Sequence, residues 1–215
     1  MIIGVPKEIK NNENRVAIIP EKASILSKQN HDILIESNAG IGAGYTDEEY
    51  LNSGCEIISN VEKIYNNAEL IAKVKEPLES EFKYLNKKPI LFTFLHLAAN
   101  KNLSINLLES KMTSIAYEAV TKDGKNFPLL KPMSEIAGKL APQIAANFLQ
   151  KQYGGPGLLI GGTSNIKPLN ISVIGAGIVG YNAAIISCGM GASVTVFDIC
   201  LLYTSDAADE RSSVD

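Results

Sequence analysis

The sequence predicts an α/β protein made of two Rossmann-like, doubly wound parallel-sheet domains. Short β-favouring runs alternate with helical segments from Ile2 onward, a pattern typical of a parallel sheet with helices on its faces. A glycine-rich turn between a strand and a helix, Gly175–Gly180, marks a βαβ unit of the dinucleotide-binding type. With 215 residues the chain is long enough for two such domains. We expect the second domain to be incomplete.

The composition excludes several classes of protein. The chain is 46% hydrophobic and carries a net charge of −3, which offers no positive field for nucleic acid. No apolar run approaches the length of a membrane span, and Met1-Ile-Ile-Gly4 already reads as a strand rather than a signal peptide. The three cysteines are scattered and lack metal-ligand spacing. We therefore expect a cytoplasmic protein without a metal site, a membrane anchor or a nucleic-acid partner.

The first half of the chain reads as alternating strands and helices. The apolar patterns predict strands at Ile2–Val5, Asp32–Glu36, Cys55–Ile58, Leu70–Val74, Pro89–Leu95 and Thr113–Tyr117. Helices are predicted at Glu21–Gln29, after the capping box Thr46-Asp-Glu-Glu49, and around Val61–Asn67 and Leu103–Lys111. This order predicts one parallel sheet.

A domain boundary is predicted near residue 130. The polar segment Lys122–Phe127 interrupts the alternation, and a long helical stretch, Ser134–Gln152, follows it. Pro142 should kink this helix, because it lacks the N–H that a helix interior needs. We assign residues 1–130 to a substrate-binding domain and residues 131–199 to the first βαβ unit of a nucleotide-binding domain.

The glycine motif predicts a site for NAD. Gly175 would allow the tight turn, Gly177 would let the backbone approach a pyrophosphate, and Gly180 would let the helix pack closely on the strand. The next strand ends on Asp198, about twenty positions on. Its carboxylate would bind the ribose hydroxyls and repel a 2′-phosphate, and no arginine directly follows it, so NAD is favoured over NADP.

Several separated motifs resemble alanine dehydrogenase in that family's order. The motifs are Gly4-Val-Pro-Lys-Glu8, Glu13-Asn-Arg-Val-Ala17, Val74-Lys-Glu-Pro77, Leu95-His-Leu-Ala98, Pro132-Met-Ser-Glu135, Gly180-Tyr-Asn-Ala-Ala184 and Gly189-Met-Gly-Ala192. The resemblance runs from Met1 to about Ile199. It implies reversible NAD-dependent oxidative deamination of L-alanine to pyruvate and ammonia, and a homohexamer.

The resemblance also implies roles for individual residues. Arg15 matches the substrate-binding arginine, whose fork can hold a carboxylate. Lys75 matches the active-site lysine that holds substrate oxygen and polarises the pyruvate carbonyl, and His96 matches the general acid/base. Tyr117 and Glu118 fall in segments near the cleft. Ser134 does too, and we assign it to the cofactor site. The family's catalytic aspartate should lie downstream of this chain.

Each of these residues also has a simpler interpretation. Arg15 would serve as a solvated loop residue, and Lys75 as half of a surface ion pair with Glu76. His96 has an independent case, because it directly follows a strand that reads as buried. Open α/β sheets bind ligands at the carboxyl ends of their strands.

Two other functions stay open from the sequence. The wider family includes the NAD-binding subunit of proton-translocating nicotinamide nucleotide transhydrogenase, which resembles this chain less around His96 and Tyr181. A non-catalytic NAD-binding module is the second alternative. Against it stands the combination of Arg15, Lys75 and His96, since a sensor needs no proton-transfer group beside a carboxylate clamp.

The last residues do not resemble the family. We predict that residues 200–215 are a non-native tail, the alternative being a genuine disordered tail rich in Ser, Asp and Ala. A nucleotide domain of this type needs both of its βαβαβ halves. We therefore expect the chain as given to lack dehydrogenase activity.

Overall fold

The computed structural model describes residues 1–124 and 126–199. The chain divides into two compact units, Met1–Phe127 and a second that begins at Pro128; we call them unit 1 and unit 2. The predicted tail, residues 200–215, lies outside the described residues.

Unit 1 is built on one parallel sheet of six strands, as the alternating pattern predicts. The strands are β1 (Ile2–Val5), β2 (Asp32–Glu36), β3 (Glu56–Ile58), β4 (Leu70–Ala72), β5 (Ile90–Thr93) and β6 (Thr113–Ala116). Their order across the sheet is β3-β2-β1-β4-β5-β6, and every neighbouring pair is parallel. The predicted doubly wound fold is confirmed.

Helices cover both faces of this sheet. They are α1 (Pro20–Lys28), α2 (Asp47–Asn52), α3 (Val61–Asn67) and α4 (Lys101–Ser110). One apolar cluster joins Ile64 of α3 and Leu103 of α4 to Leu34 of the sheet, while a second joins Tyr50 of α2 to Ile33 and its neighbours. Because successive strand residues point to opposite faces, Ile33 and Leu34 belong to different clusters.

The capping box is confirmed at the start of α2. The Glu49 backbone N–H donates to Thr46 Oγ1 at 3.3 Å, and the Thr46 backbone N–H donates to Glu49 Oε2 at 2.7 Å. Reciprocal bonds of this kind satisfy two of the donors that a helix N-terminus leaves without partners.

Strands β4 and β5 each end two residues earlier than predicted, because carboxylates bind the backbone N–H groups beyond their ends. Strand β4 was expected to reach Val74, but the Val74 backbone N–H donates to Glu8 Oε1 at 2.6 Å instead of continuing the ladder. Strand β5 was expected to reach Leu95, but the backbone N–H groups of Leu95 and His96 donate to the carboxylate of Glu118. Both carboxylates lie beyond the strand ends where ligands bind in such sheets.

Unit 2 contains a parallel βαβ unit and a long helix. The helix α5 (Lys131–Phe148) begins three residues before the predicted start, and a separate 3-10 turn, Lys151–Tyr153, follows it. Strand β7 (Asn170–Ile174), helix α6 (Ile178–Gly189) and strand β8 (Ser193–Phe197) come next. The two strands pair in parallel, from Asn170 with Ser193 to Ile174 with Phe197. The predicted supersecondary unit is confirmed.

Across the described parts of the chain, none of the helices combines the length and the apolar character needed to cross a membrane. In residues 1–124 and 126–199 there is also no cluster of three or more His, Cys, Asp or Glu side chains suited to a metal ion.

Candidate active site

The sheet of unit 1 has a topological switch point between β1 and β4. From β1 the chain proceeds to β2 and β3 on one side, whereas β4, β5 and β6 extend on the other side. The loops that leave the carboxyl ends of β1 and β4 therefore diverge and leave a crevice, which is where open α/β sheets bind their ligands. Arg15 lies in the first loop and Lys75 in the second.

A polar cavity of about 190 Å³ opens in the loop after β1. Its lining includes Lys7, Glu8, Glu13, Asn14 and Arg15. Such a volume is small, and the chemistry of its wall suits a small charged ligand better than an apolar one.

The Arg15 side chain forms a two-pronged ion pair with Glu13. Arg15 Nε donates to Glu13 Oε1 at 2.8 Å, and Arg15 Nη2 donates to Glu13 Oε2 at 2.6 Å. The hydrogen bonds from Arg15 hold the pKa of Glu13 below its usual value, against the opposing effect of burial. The Arg15 guanidinium is thus already arranged to bind a carboxylate through parallel hydrogen bonds.

Lys75 lies half-buried in the loop that follows β4, and its backbone is held from two sides. Its N–H donates to Glu8 Oε1 at 3.3 Å, and its carbonyl accepts a hydrogen bond from Thr93 Oγ1 at 2.9 Å. Among the described residues, the ion pairs within 4.0 Å do not include Lys75. An ion pair between Lys75 and Glu76 is therefore absent from the described part of the chain, where Lys10 binds the Glu76 carboxylate instead. The Lys75 ammonium does contribute to the lowered pKa of Glu13, after the larger effects of Arg15.

His96 follows the carboxyl end of β5, the strand next to β4. It adopts a left-handed backbone conformation with φ of 49°, which is uncommon for a residue with a side chain. Its backbone N–H donates to Glu118 Oε1 at 2.7 Å, and its exposed ring stacks on Phe94 with 6.0 Å between centroids. A residue in an uncommon backbone conformation, held there by a half-buried carboxylate, is a feature found at functional sites.

Tyr117 and Glu118 follow β6 and support the loop that carries His96. The Tyr117 ring packs edge-on against Phe92 and Phe94, with centroids 4.3 and 5.1 Å apart. Burial, and then the negative charge of Glu8, raises the pKa of Tyr117 to about 12. Tyr117 therefore stays protonated at neutral pH, while Glu118 serves to fix the His96 backbone.

A buried charge network beneath the site was missed from the sequence. Lys73 is fully buried, and its Nζ lies 2.8 Å from Glu81 Oε1 and 3.5 Å from Glu8 Oε2. Tyr65 donates a hydrogen bond to Glu81 Oε1 at 3.5 Å. Burial raises the pKa of Glu8, with the Lys73 ammonium opposing that effect. A lysine inside the otherwise apolar run 70–74 was the one sequence signal that could have indicated a buried ion pair.

The glycine loop of unit 2 has the backbone geometry that its spacing predicts. Gly175 adopts φ of 96°, where only glycine is unstrained. A Cβ at Gly180 would lie 1.7 Å from the Gly175 carbonyl oxygen, so the helix approaches the strand too closely for any side chain. A Cβ at Gly177, by contrast, would meet no atom within 4 Å. Open space beside the N-terminus of α6 leaves room for a phosphate group.

Asp198 and Ser134 lie on elements beside this loop. Asp198 directly follows β8, and its carboxylate accepts a hydrogen bond from the backbone N–H of Ala176 in the glycine loop. Ser134 lies in the first turns of α5, one turn before Gly138. A Cβ at Gly138 would meet the backbone of Val179 in α6 at 2.4 Å. Since residues four apart share a helix face, Ser134 lies on the side of α5 that faces α6.

Comparison with known proteins decides the family. A family model for the N-terminal domain of alanine dehydrogenase/PNT matches residues 4–137, and the model for the C-terminal domain matches residues 141–210. The chain belongs to the alanine dehydrogenase/PNT family. The resemblance seen in the sequence motifs is confirmed.

Over the residues that align, curated members of this family are about half identical to the chain. The alanine dehydrogenase of Methanococcus maripaludis is 50% identical over 199 residues, which cover 93% of this chain and 53% of that protein. The alanine dehydrogenase of Bacillus subtilis is 48% identical and is covered to 52%. The chain thus spans about half the length of the curated relatives that it matches.

Solved structures agree with the fold. An L-alanine dehydrogenase structure superposes with a TM-score of 0.92 at 42% identity, covering 99% of this chain and 59% of that chain. A transhydrogenase from Sinorhizobium meliloti superposes with a TM-score of 0.82 at 22% identity, covering 97% of this chain and 60% of that chain. The second likeness is one of fold alone.

Proposed function

We propose that this protein works as an NAD-dependent L-alanine dehydrogenase, interconverting L-alanine with pyruvate and ammonia. The proposal rests on one observation. Arg15, Lys75 and His96 lie in the loops after β1, β4 and β5, which are three neighbouring strands of one sheet. A guanidinium fork, an ammonium and an imidazole at one sheet edge match the needs of a 2-oxo acid: a carboxylate clamp, a carbonyl polariser and a proton carrier.

The chain's own residues divide the work as follows. Arg15 would bind the substrate carboxylate in the manner in which it now binds Glu13. Lys75, which is not ion-paired among the described residues, would donate to the carbonyl oxygen of pyruvate and favour attack by ammonia. His96 would move the proton at that oxygen as the carbonyl forms or disappears. The glycine loop and Asp198 of unit 2 would hold NAD, which would supply the acceptor for the hydride from the substrate α-carbon.

The described part of unit 2 fits NAD. The open space at Gly177 and the amino end of α6 offer a place for the pyrophosphate. The carboxylate of Asp198 stands beside the same loop, where it would accept hydrogen bonds from ribose hydroxyls and disfavour a 2′-phosphate. Gly175, Gly177, Gly180, Asp198 and Ser134 are the residues we propose for this site.

The transhydrogenase alternative has weaker support. The solved transhydrogenase is 22% identical to this chain, whereas the curated alanine dehydrogenases compared are 45–50% identical. Hexameric assembly and a cytoplasmic location stay predictions that rest on the sequence resemblance.

Absorbance of NADH tests the proposal. The assay compares L-alanine with D-alanine, glycine and L-serine, and NAD with NADP. Because the chain spans about half of its relatives' length, the 215-residue chain and the product of the complete reading frame at its locus are both assayed. L-alanine-dependent NADH formation by the complete product is expected, with the 215-residue chain inactive. Hydride exchange with NADP and no response to L-alanine would favour the transhydrogenase function instead.

A further inference from the structure

We infer that Glu8 and Thr93 are positioning residues for the proposed active-site Lys75, acting on its peptide groups rather than on the substrate. This inference rests on the proposed function for its effect on the reaction. The hydrogen bonds themselves stand on the geometry of unit 1 alone.

The first contact comes from the loop after β1. Glu8 Oε1 accepts the backbone N–H groups of Val74 at 2.6 Å and Lys75 at 3.3 Å. The Glu8 side chain is 4% exposed, so these bonds are shielded from water. A carboxylate that accepts two backbone N–H groups fixes the direction in which the chain leaves β4.

The second contact comes from β5. Thr93 is fully buried, and its Oγ1 donates to the Lys75 carbonyl at 2.9 Å. The N–H and the carbonyl of Lys75 are thus bound by groups from two different elements. With both peptide groups of Lys75 held, the direction in which its side chain leaves the backbone is restricted. Its ammonium is near enough to contribute to the lowered pKa of Glu13, after the larger effects of Arg15.

The buried cation Lys73 supports this arrangement. Its Nζ lies 3.5 Å from Glu8 Oε2, the oxygen that does not bind the backbone, and 2.8 Å from Glu81 Oε1. A buried carboxylate without a partner is costly. Lys73 therefore offsets part of the cost of burying the Glu8 carboxylate and holds it in place, although Lys73 itself is too deeply buried to meet a substrate.

Three variants distinguish a role in positioning Lys75 from a role in stabilising the fold alone. Thr93→Val keeps the side-chain shape and removes the hydrogen bond to Lys75, while Thr93→Ser keeps the hydroxyl. Tyr65→Phe is the matched control, because it removes a hydrogen bond at the far end of the same network without touching Lys75.

The first measurement is amide hydrogen exchange at Lys75 in the 215-residue chain, which needs no catalysis. The Lys75 N–H itself is bound by Glu8, and Thr93 binds the Lys75 carbonyl. Losing the Thr93 bond should therefore make local opening of residues 74–76 easier, and we expect Thr93→Val to speed exchange of the Lys75 amide by about tenfold. Thr93→Ser and Tyr65→Phe should leave it near the wild-type rate. Equal exchange rates in wild type and Thr93→Val would overturn the inference.

The second measurement is steady-state kinetics of the complete product. Thr93→Val should raise the KM for pyruvate about tenfold and leave the KM for NADH unchanged, with Thr93→Ser close to wild type. A fall in Tm for Thr93→Val no different from that of Tyr65→Phe, without a change in KM, would also overturn it. If the complete wild-type product does not turn over pyruvate, but amide exchange at Lys75 changes as expected, the proposed function is refuted. The positioning of Lys75 by Glu8 and Thr93 is then still supported.

Discussion

The substrate edge of unit 1 and the glycine loop of unit 2 are built in different ways. The glycine loop is shaped by the backbone: Gly175 supplies a positive φ, and Gly180 supplies the close approach of helix and strand. The substrate edge is shaped by side chains: the buried Glu8 and Lys73 and the half-buried Glu118 hold the loops that carry Lys75 and His96. A backbone-built site is encoded locally, whereas a site built by side chains depends on residues far apart in the chain.

Removing the buried cation should have the largest effect on stability. Lys73→Met would leave the carboxylates of Glu8 and Glu81 buried without their shared partner. Breaking a buried ion pair in this way costs about 3–5 kcal/mol, measurable as a shift of the urea midpoint at constant slope. The control Lys22→Met removes the exposed pair with Glu21 and should leave the urea midpoint close to that of wild type, because exposed ion pairs contribute little. Equal effects of the two variants would contradict the buried network.

A side chain at Gly180 should have the next largest effect. Gly180→Ala places a methyl group against the Gly175 carbonyl oxygen, and overpacking of this kind costs about 1–3 kcal/mol. Gly189→Ala is the matched control, because it lies in the same helix with no atom within 4 Å of the new Cβ. Thermal unfolding should show a lower Tm for Gly180→Ala only. Unfolding of both variants at the wild-type temperature would contradict the close approach of α6 to the glycine loop after β7.

The smallest expected effect is the pH dependence contributed by Glu13. Its pKa is lowered in the folded protein by hydrogen bonds from Arg15. The ionised Glu13 therefore stabilises the folded protein at pH values above 4.5, the ordinary pKa of this carboxyl group. This stabilisation is lost as the pH falls below that value. Because Arg15 is 45% exposed, the contribution should stay below about 1 kcal/mol. The difference in unfolding free energy between wild type and Glu13→Gln, followed from pH 7 to pH 3, should be constant and then shrink. A difference that grows toward low pH would contradict the ion pair.

The same contrast explains how far sequence analysis reached. The strand–glycine–helix spacing predicted β7, α6 and the turn at Gly175, because glycine conformation and strand pattern are local properties. The ends of β4 and β5 were predicted too late, since the carboxylates of Glu8 and Glu118 that end them come from distant segments. In the sequence, Glu8 is recognisable only as part of a motif, and Lys73 has the position of an ordinary strand residue. Burial of a charged side chain is a tertiary property, which a pattern of residue types does not show.

The most direct test of the central claim is a titration of the chain with pyruvate, with and without NADH, followed by amide NMR spectra. We expect pyruvate to change the amide chemical shifts of residues 7–15, 74–76 and 95–97, which lie in the loops after β1, β4 and β5. We also expect Arg15→Lys, which keeps the charge and loses the guanidinium fork, to weaken the binding of pyruvate about tenfold. Saturating pyruvate that shifts none of these amides, or that binds Arg15→Lys as tightly as wild type, would contradict a carboxylate site at this edge of the sheet.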